Sequence, residues 1–309
     1  MMIDAYTKEG ALSSFDAPLS VEIADDLYAA GALRCTLPVE TLPPDFTRVR
    51  VTHAGRLLFY GPVDKQTFSC SEAGRLLTLE ARDCTALLLD NEAQPRLYET
   101  VSMNDIYYNH VRRYGIERAI SQNPRLQRQF TVTKGMSDFE VVEKFCRLAG
   151  LPRPYADERG RLALRNYNVE AALPGDGGVL FSAKQVTARY KPLSEIILSD
   201  PLTREYSISI RSTAALAKSG KRRRFRRLYT LTEGEQREEA RRLLSESLLG
   251  SRVYEVCVTG VDRTPVGART GFSFDRLTAR GLRVVEREIH YGTDGIYTLF
   301  RLYPAEDIC

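Results

Sequence analysis

The sequence predicts a mainly β protein interrupted by a small α+β segment, and three observations predict it. Apolar and polar side chains alternate along short runs toward both ends, as in Leu77, Leu79 and Ala81 against Thr78, Glu80 and Arg82. Between these runs the period lengthens to that of a helix, with capping residues and glycine stops in the expected order. Turn-forming clusters separate the apolar runs, and Asp294-Gly295 is the strongest hairpin signal in the chain.

Residues 1–97 read as short meandering strands, a pattern that favours a barrel or a sandwich over a parallel sheet. Segments 20–27 and 32–39 flank Gly31. Segment 48–52 turns at His53-Ala54-Gly55 into 57–60, and 66–71 turns at Glu72-Ala73-Gly74 into the alternating strand. One or two helical turns at 84–90 close the unit.

Residues 98–174 follow the helical period. Ser102 caps a helix that carries Met103, Ile106, Tyr107, Val111 and Tyr114, and Gly115 stops it. Ser137-x-x-Glu140 is a capping box, with Met136 placed to staple onto Val141. Phe139, Val142, Phe145, Cys146 and Ala149 form its inward stripe, ended by Gly150 and Pro152. A hairpin turning at Asp157-Glu158-Arg159-Gly160 follows.

Residues 175–309 return to β. Segments 196–198 and 206–210 flank Ser199-Asp200-Pro201, and one helix at about 233–249 is capped at Thr232 and stopped at Gly250. Its inward residues are Ala240, Leu243, Leu244 and Leu248. Strands at 254–260, 270–274, 282–291 and 296–303 complete the chain. No period of residue identity repeats, although the two β regions qualify as distant structural copies.

Composition excludes several classes. A chain of 309 residues with 43% hydrophobic content buries a core and is not disordered. With 44 basic and 40 acidic residues its charge is +4, too balanced for a dedicated nucleic-acid binder. No apolar run approaches a membrane span, and the N-terminal residues show no signal-peptide pattern. The six cysteines are scattered without a C-x-x-C, which excludes a disulfide scaffold or zinc ribbon and predicts reduced thiols made in a cytoplasm.

Catalytic chemistry finds little support. His53, His110 and His290 are far apart and read as turn or surface residues, so no metal site is expected. No G-x-S-x-G elbow occurs, and Gly175-Asp176-Gly177-Gly178 lacks the following helix that a phosphate cradle needs, so no cofactor is expected. Asp25-Asp26 and Asp157-Glu158 are adjacent acids in turns rather than a pair facing across a cleft, and no Trp is present to stack on a sugar. The most unusual segment is 218–227, in which seven of ten residues are basic, including Lys221, Arg222, Arg223, Arg224, Arg226 and Arg227. It reads as a solvated loop, a docking site for an acidic partner, or a phosphate-backbone contact without base readout.

The order of these segments resembles the late-control and hub family of tailed phages, prophages and contractile injection systems. Leu58-Phe59-Tyr60-Gly61-Pro62-Val63, followed by Leu79-Glu80-Ala81-Arg82-Asp83-Cys84-Thr85-Ala86-Leu87-Leu88, is similar to a paired motif in that family's first barrel. The helix at 135–150 with Gly160-Arg161-Leu162 resembles its middle domain. Segments 246–260 and 284–286 with the hairpin at 295–302 resemble its C-terminal part, without the Trp some relatives carry.

The resemblance implies two tube-like antiparallel β-barrel domains, 1–97 and 175–309, flanking the α+β domain. It further implies a non-enzymatic structural hub of a tail or baseplate. A homotrimer would form a ring that adapts a six-fold tail tube to a three-fold spike. Its partners would be the spike, the tube and other baseplate proteins. It would act in the virion after assembly in the bacterial host cytoplasm. The alternative is a tail-associated peptidoglycan hydrolase with carboxylate chemistry in the central domain. For a hub the candidate interface residues are Arg48, Arg50, Thr52, Tyr254, Val256 and Val258, together with the basic segment.

Overall fold

The computed structural model describes every residue except 73, 176, 201, 228–232 and 309. The features expected at Ala73, Asp176, Pro201, Thr232 and Cys309 therefore lie outside the described residues.

The chain is mainly β. Its first part holds β1 (Met2–Thr7), β2 (Leu12–Phe15), β3 (Ser20–Asp26), β4 (Ala32–Pro38), β5 (Phe46–His53), β6 (Arg56–Ser71), β7 (Gly74–Arg82) and α1 (Ala86–Leu89). The middle holds β8 (Arg96–Tyr98), β9 (Val101–Ser102), α2 (Met103–His110), β10 (Arg125–Leu126), β11 (Phe130–Val132), α3 (Asp138–Leu148), β12 (Pro154–Ala156) and β13 (Leu162–Leu164). The last part begins with β14 (Leu180–Thr187), β15 (Glu195–Ser199), β16 (Tyr206–Arg211), α4 (Thr213–Ser219) and β17 (Arg223–Arg226). It continues with α5 (Glu233–Leu248), β18 (Arg252–Thr259), β19 (Arg269–Phe274), β20 (Leu277–Gly292) and β21 (Gly295–Pro304).

One sheet of twelve strands joins the two β regions in the order β14-β18-β21-β20-β3-β4-β7-β6-β5-β1-β2, with β19 on β20. All its pairings are antiparallel. Two barrels were the expectation; among the described residues no pairing closes either region on itself. The junction is β3 against β20, with Ile23 opposite Ile289 and Val21 opposite Tyr291.

Strands β1 and β2 are not among the expected ones. Ile3 and Ala5 face the core, but Asp4 between them is also buried, bonded to Ser14 and Arg50 at 2.7 Å, which hides the alternation. Strand β6 is a second surprise, because Gly61-Pro62 resembles a break and yet one strand of 16 residues runs through it. A Cβ on Gly61 would lie 2.0 Å from the Arg82 carbonyl oxygen, so only glycine allows β7 so close. A bulge between Val63 and Lys65 then turns β6 from β5 toward β7. Strand β20 has the same length and a matching bulge between Val284 and Glu286.

The middle part packs its own apolar cluster around Met103, Ile106, Phe130, Val142 and Phe145. The capping box at α3 forms as expected: Ser137 Oγ accepts from the Glu140 N–H, and the Glu140 carboxylate accepts from the Ser137 N–H at 2.7 Å. Ser137→Ala will cost about 1 kcal/mol, read as a lowered urea midpoint, because an orphan helix N–H loses its acceptor. Helix α2 ends earlier than expected, giving way after Val111 to a short 3-10 turn that Gly115 closes at φ 73°.

Between β14 and β18 the chain departs from the expectation of barrel strands broken by one helix. Strands β16, β15 and β17 form a separate three-stranded sheet, and α5 packs Ala240 and Leu244 on its Ile196, Leu198 and Ile210. β17 runs parallel to β15.

Candidate functional surfaces

The acidic pairs fold into structural roles. Asp25 lies on β3, where β20 and the segment after β13 converge. Its carboxylate accepts from the buried Arg165 at 2.6 Å and lies 3.6 Å from the buried Arg287. Burial pushes the Asp25 carboxyl up, but the two guanidinium groups outweigh it and hold it below the usual carboxylate range. Arg165 also donates to the Asp26 carbonyl at 2.8 Å and lies 4.0 Å over the Tyr155 ring. Nearby Asp83 is pushed up by burial while it accepts from the Gly31 N–H at 2.6 Å.

Asp26 and Asp157 are occupied as well, while Glu158 is exposed. Asp26 Oδ1 accepts from the Tyr28 and Ala29 N–H groups, and Asp157 accepts from Arg161 at 2.7 Å and from two turn N–H groups. Asp25, Asp83, Asp157 and Glu158 line one small cleft of about 40 Å³ beside Arg287, but Asp25 and Asp157 are each held by an arginine and Asp83 by backbone N–H groups, so the geometry offers no pair poised for hydrolysis.

A cleft of about 340 Å³ opens between β5–β6 and the loops at 115–117 and 159–161, with Arg48, Tyr60, Tyr114, Glu117 and Arg161 on its walls. Cys84 also lines it, but burial, helped by the Asp83 charge, pushes that thiol up to about 11. A nucleophilic cysteine needs the opposite shift.

His110 corrects the sequence reading. It is 3% exposed rather than on the surface: its Nδ1 lies 2.8 Å from Asp138, and its Nε2 lies 3.1 Å from the Tyr98 hydroxyl. One helical turn after Ile106, it falls on the inward face of α2. His53 lies at the end of β5, and His290 stacks on Tyr297 at 4.7 Å. Among the described residues no group of three His, Cys, Asp or Glu is arranged to hold a metal ion, and no helix is long and apolar enough to cross a membrane.

The candidate interface residues divide. Arg48, Arg50 and Thr52 lie on β5, between β1 and β6, so both backbone edges of that strand are already paired. Arg48 donates to the Tyr60 hydroxyl at 2.8 Å, and Arg50 is ion-paired with Asp4. Tyr254, Val256 and Val258 point the wrong way for an interface: at 8%, 0% and 0% exposure they belong to the core beside Phe300 and Leu302. The outward residues of β18 are Val253, Glu255, Cys257 and Thr259. Glu255 carried that signal in the sequence, since a period of two puts it opposite its neighbours.

The basic segment is exposed at Lys221, Arg222, Arg223, Arg224, Arg226 and Arg227, and its centre is strand β17 rather than a loop. No sequence signal marks this strand, because a run of arginines has no inward face.

No protein-family model matches the sequence, and no curated protein matches it. Solved structures do. The 43 kDa tail protein of prophage MuSo2 from Shewanella oneidensis superposes with a TM-score of 0.79 at 14% identity, covering 99% of each chain. A tail protein from Neisseria meningitidis gives 0.72 at 16% identity, over 97% of this chain and 95% of that one. An Escherichia coli component of the type VI secretion system, described as similar to bacteriophage tail proteins, gives 0.56 at 12% identity over 93% of this chain and 73% of its own. The chain thus has the fold of phage and prophage tail proteins, shared with a type VI secretion component.

Proposed function

We propose that this chain is a non-enzymatic structural hub of a phage or prophage tail, built as a trimer whose ring joins a six-fold tube to a three-fold spike. On this reading residues 1–97 and 175–309 are two tube-like β domains, and 98–174 is an α+β domain between them. The hub is assembled in the bacterial host cytoplasm and works in the tail, against tube, spike and baseplate partners.

One observation supports it above the others. The neighbour order β3-β4-β7-β6-β5 recurs as β14-β18-β21-β20-β19, in the same chain order. The registers match at one constant spacing from β4–β7 to β18–β21. Val63 opposite Ala81 corresponds to Val284 opposite Leu302, and Gly74 opposite Ser71 to Gly295 opposite Gly292. Even the hairpin residues Ala54 and Asp275 share a positive φ, at 48° and 51°. Two copies of one unit in each chain give six in a trimer, the number a ring needs to meet a six-fold tube.

The joint between copies is also supplied. Within the chain, β3 of the first copy pairs with β20 of the second. Their counterparts, β14 of the second and residues 65–70 of β6 in the first, each leave that edge unpaired among the described residues. Pairing them between neighbouring subunits repeats the same joint around the ring and covers two open edges. In that register Cys70 faces Ala183 of the next subunit, as Tyr291 faces Val21 within the chain.

The test is Ala183→Cys with the native, exposed Cys70. Opposed antiparallel residues lie about 4.5–5.5 Å apart at Cα, within disulfide reach. Oxidation is expected to link chains covalently into dimers and trimers, and adding Cys70→Ser to abolish the links. A monomeric mass by light scattering together with no links would overturn the proposal.

A further inference from the structure

We propose that the open edge of β17 is a docking strand for an extended acidic segment of a different protein. Six of the seven residues from Lys221 to Arg227 are basic and none is acidic. The guanidinium groups of Arg223, Arg224 and Arg226 make no hydrogen bond or ion pair among the described residues. Among the described residues β17 pairs with β15 alone, which leaves its other edge unpaired there.

The backbone is set for addition of a strand. The Arg222 carbonyl accepts from the Glu195 N–H at 3.1 Å, which points the backbone of Arg222 at β15. By alternation Arg224 and Arg226 point there too, matching their register opposite Ile196 and Leu198. The N–H and C=O groups of Arg223 and Phe225 therefore face outward, where an added strand would bond. On one face that strand would meet Phe225, 54% exposed and packed edge-on against Tyr206 at 5.2 Å. Arg227 fixes this small aromatic platform by donating to the Tyr206 hydroxyl at 2.7 Å. Arg224 and Arg226 flank the opposite face.

Charge decides the occupant. A second copy of β17 would place arginine against arginine, which repels, so the edge is protected from self-pairing. An acidic strand meets the same side chains as ion pairs and is steered toward them. Nothing in this inference depends on a trimer, and the mass of the protein is measured in the same samples, so the two proposals fail separately.

The test uses the full chain and two labelled peptides of equal charge, one alternating glutamate with threonine and one alternating glutamate with proline. Only the first can form a backbone ladder. Fluorescence anisotropy at low salt is expected to show the threonine peptide binding at least about tenfold more tightly. Phe225→Pro, which removes an outward N–H without touching the β15 ladder, is expected to erase that difference, whereas Phe225→Thr keeps it. Arg224→Glu with Arg226→Glu is expected to weaken binding by about tenfold or more. Equal affinity for both peptides, no binding to either, or tighter binding to a DNA oligonucleotide of the same charge would each overturn the proposal.

Discussion

Replacing Arg165 with methionine will lower stability by about 3–5 kcal/mol, the range for stripping one partner from a buried ion pair. Arg165 holds three parts of the chain at one point. It comes from the segment after β13, it binds the Asp25 carboxylate on β3, and Asp25 in turn lies 3.6 Å from Arg287 on β20. Methionine fills much of the volume but leaves Asp25 with one distant cation and the Asp26 carbonyl without its donor. Removing the charge on both sides, with Asp25→Leu and Arg165→Met together, is expected to recover part of the loss, since Asp25 is no longer left unpaired while the buried Arg287 loses its carboxylate. Urea unfolding of the four proteins of this cycle measures it. Equal losses in the single and double variants would show that the pair is not what holds the junction.

In the proposed trimer one type of joint serves twice, with different residues at the matching positions. Inside the chain, β3 against β20 is sealed by buried charges at Asp25 and Arg287. In the proposed joint between subunits the corresponding positions are Thr187 and Gln66, which carry no charge. An internal joint forms once, during folding, when burying an ion pair is part of closing the core. A joint between chains forms from exposed edges, and neutral residues there avoid the desolvation cost of a charge.

The sequence made local patterns legible and long-range ones not. Alternation in β3, β4 and β7, the Asp294-Gly295 hairpin and the box at Ser137 and Glu140 all declare themselves within a few residues. The duplication is hidden because the matched core positions use different apolar side chains, such as Cys35 with Val256 and Leu79 with Phe300. Either member suits an inward position, so topology is kept while identity is lost. Strand β17 exists because β15 offers it a backbone ladder, which no pattern in its own residues reveals. The tail-protein fold was legible from the order of the segments. The outward face of β18 was misread by one residue, which exchanged its inside for its outside.

Asp138 shows the same limit in a group whose effect on stability is large and pH-dependent. It is fully buried at the start of α3, yet its partners come from α2 and the turn after it. The Tyr114 hydroxyl donates at 2.6 Å, the Arg113 guanidinium also donates, and the His110 Nδ1–H donates at 2.8 Å, with Nε2 lying 3.1 Å from the Tyr98 hydroxyl. Asp138→Ala strips the acceptor from all three donors and will cost about 3–5 kcal/mol at neutral pH. Burial raises the Asp138 carboxyl, but the hydrogen bonds from His110, Tyr114 and Arg113 outweigh it, so its folded value lies below the ordinary 3.8. A group lowered in this way contributes its full stability above the unfolded value and loses it as pH falls through the folded one. Urea midpoints followed downward from neutral pH should therefore fall for the wild type below about pH 4. The gap between wild type and Asp138→Ala should narrow over the same interval. Other lowered carboxylates such as Asp25 remain in both proteins and cancel in the difference. A gap that stays constant down to the acid limit would mean that Asp138 acts through packing alone, without its charge.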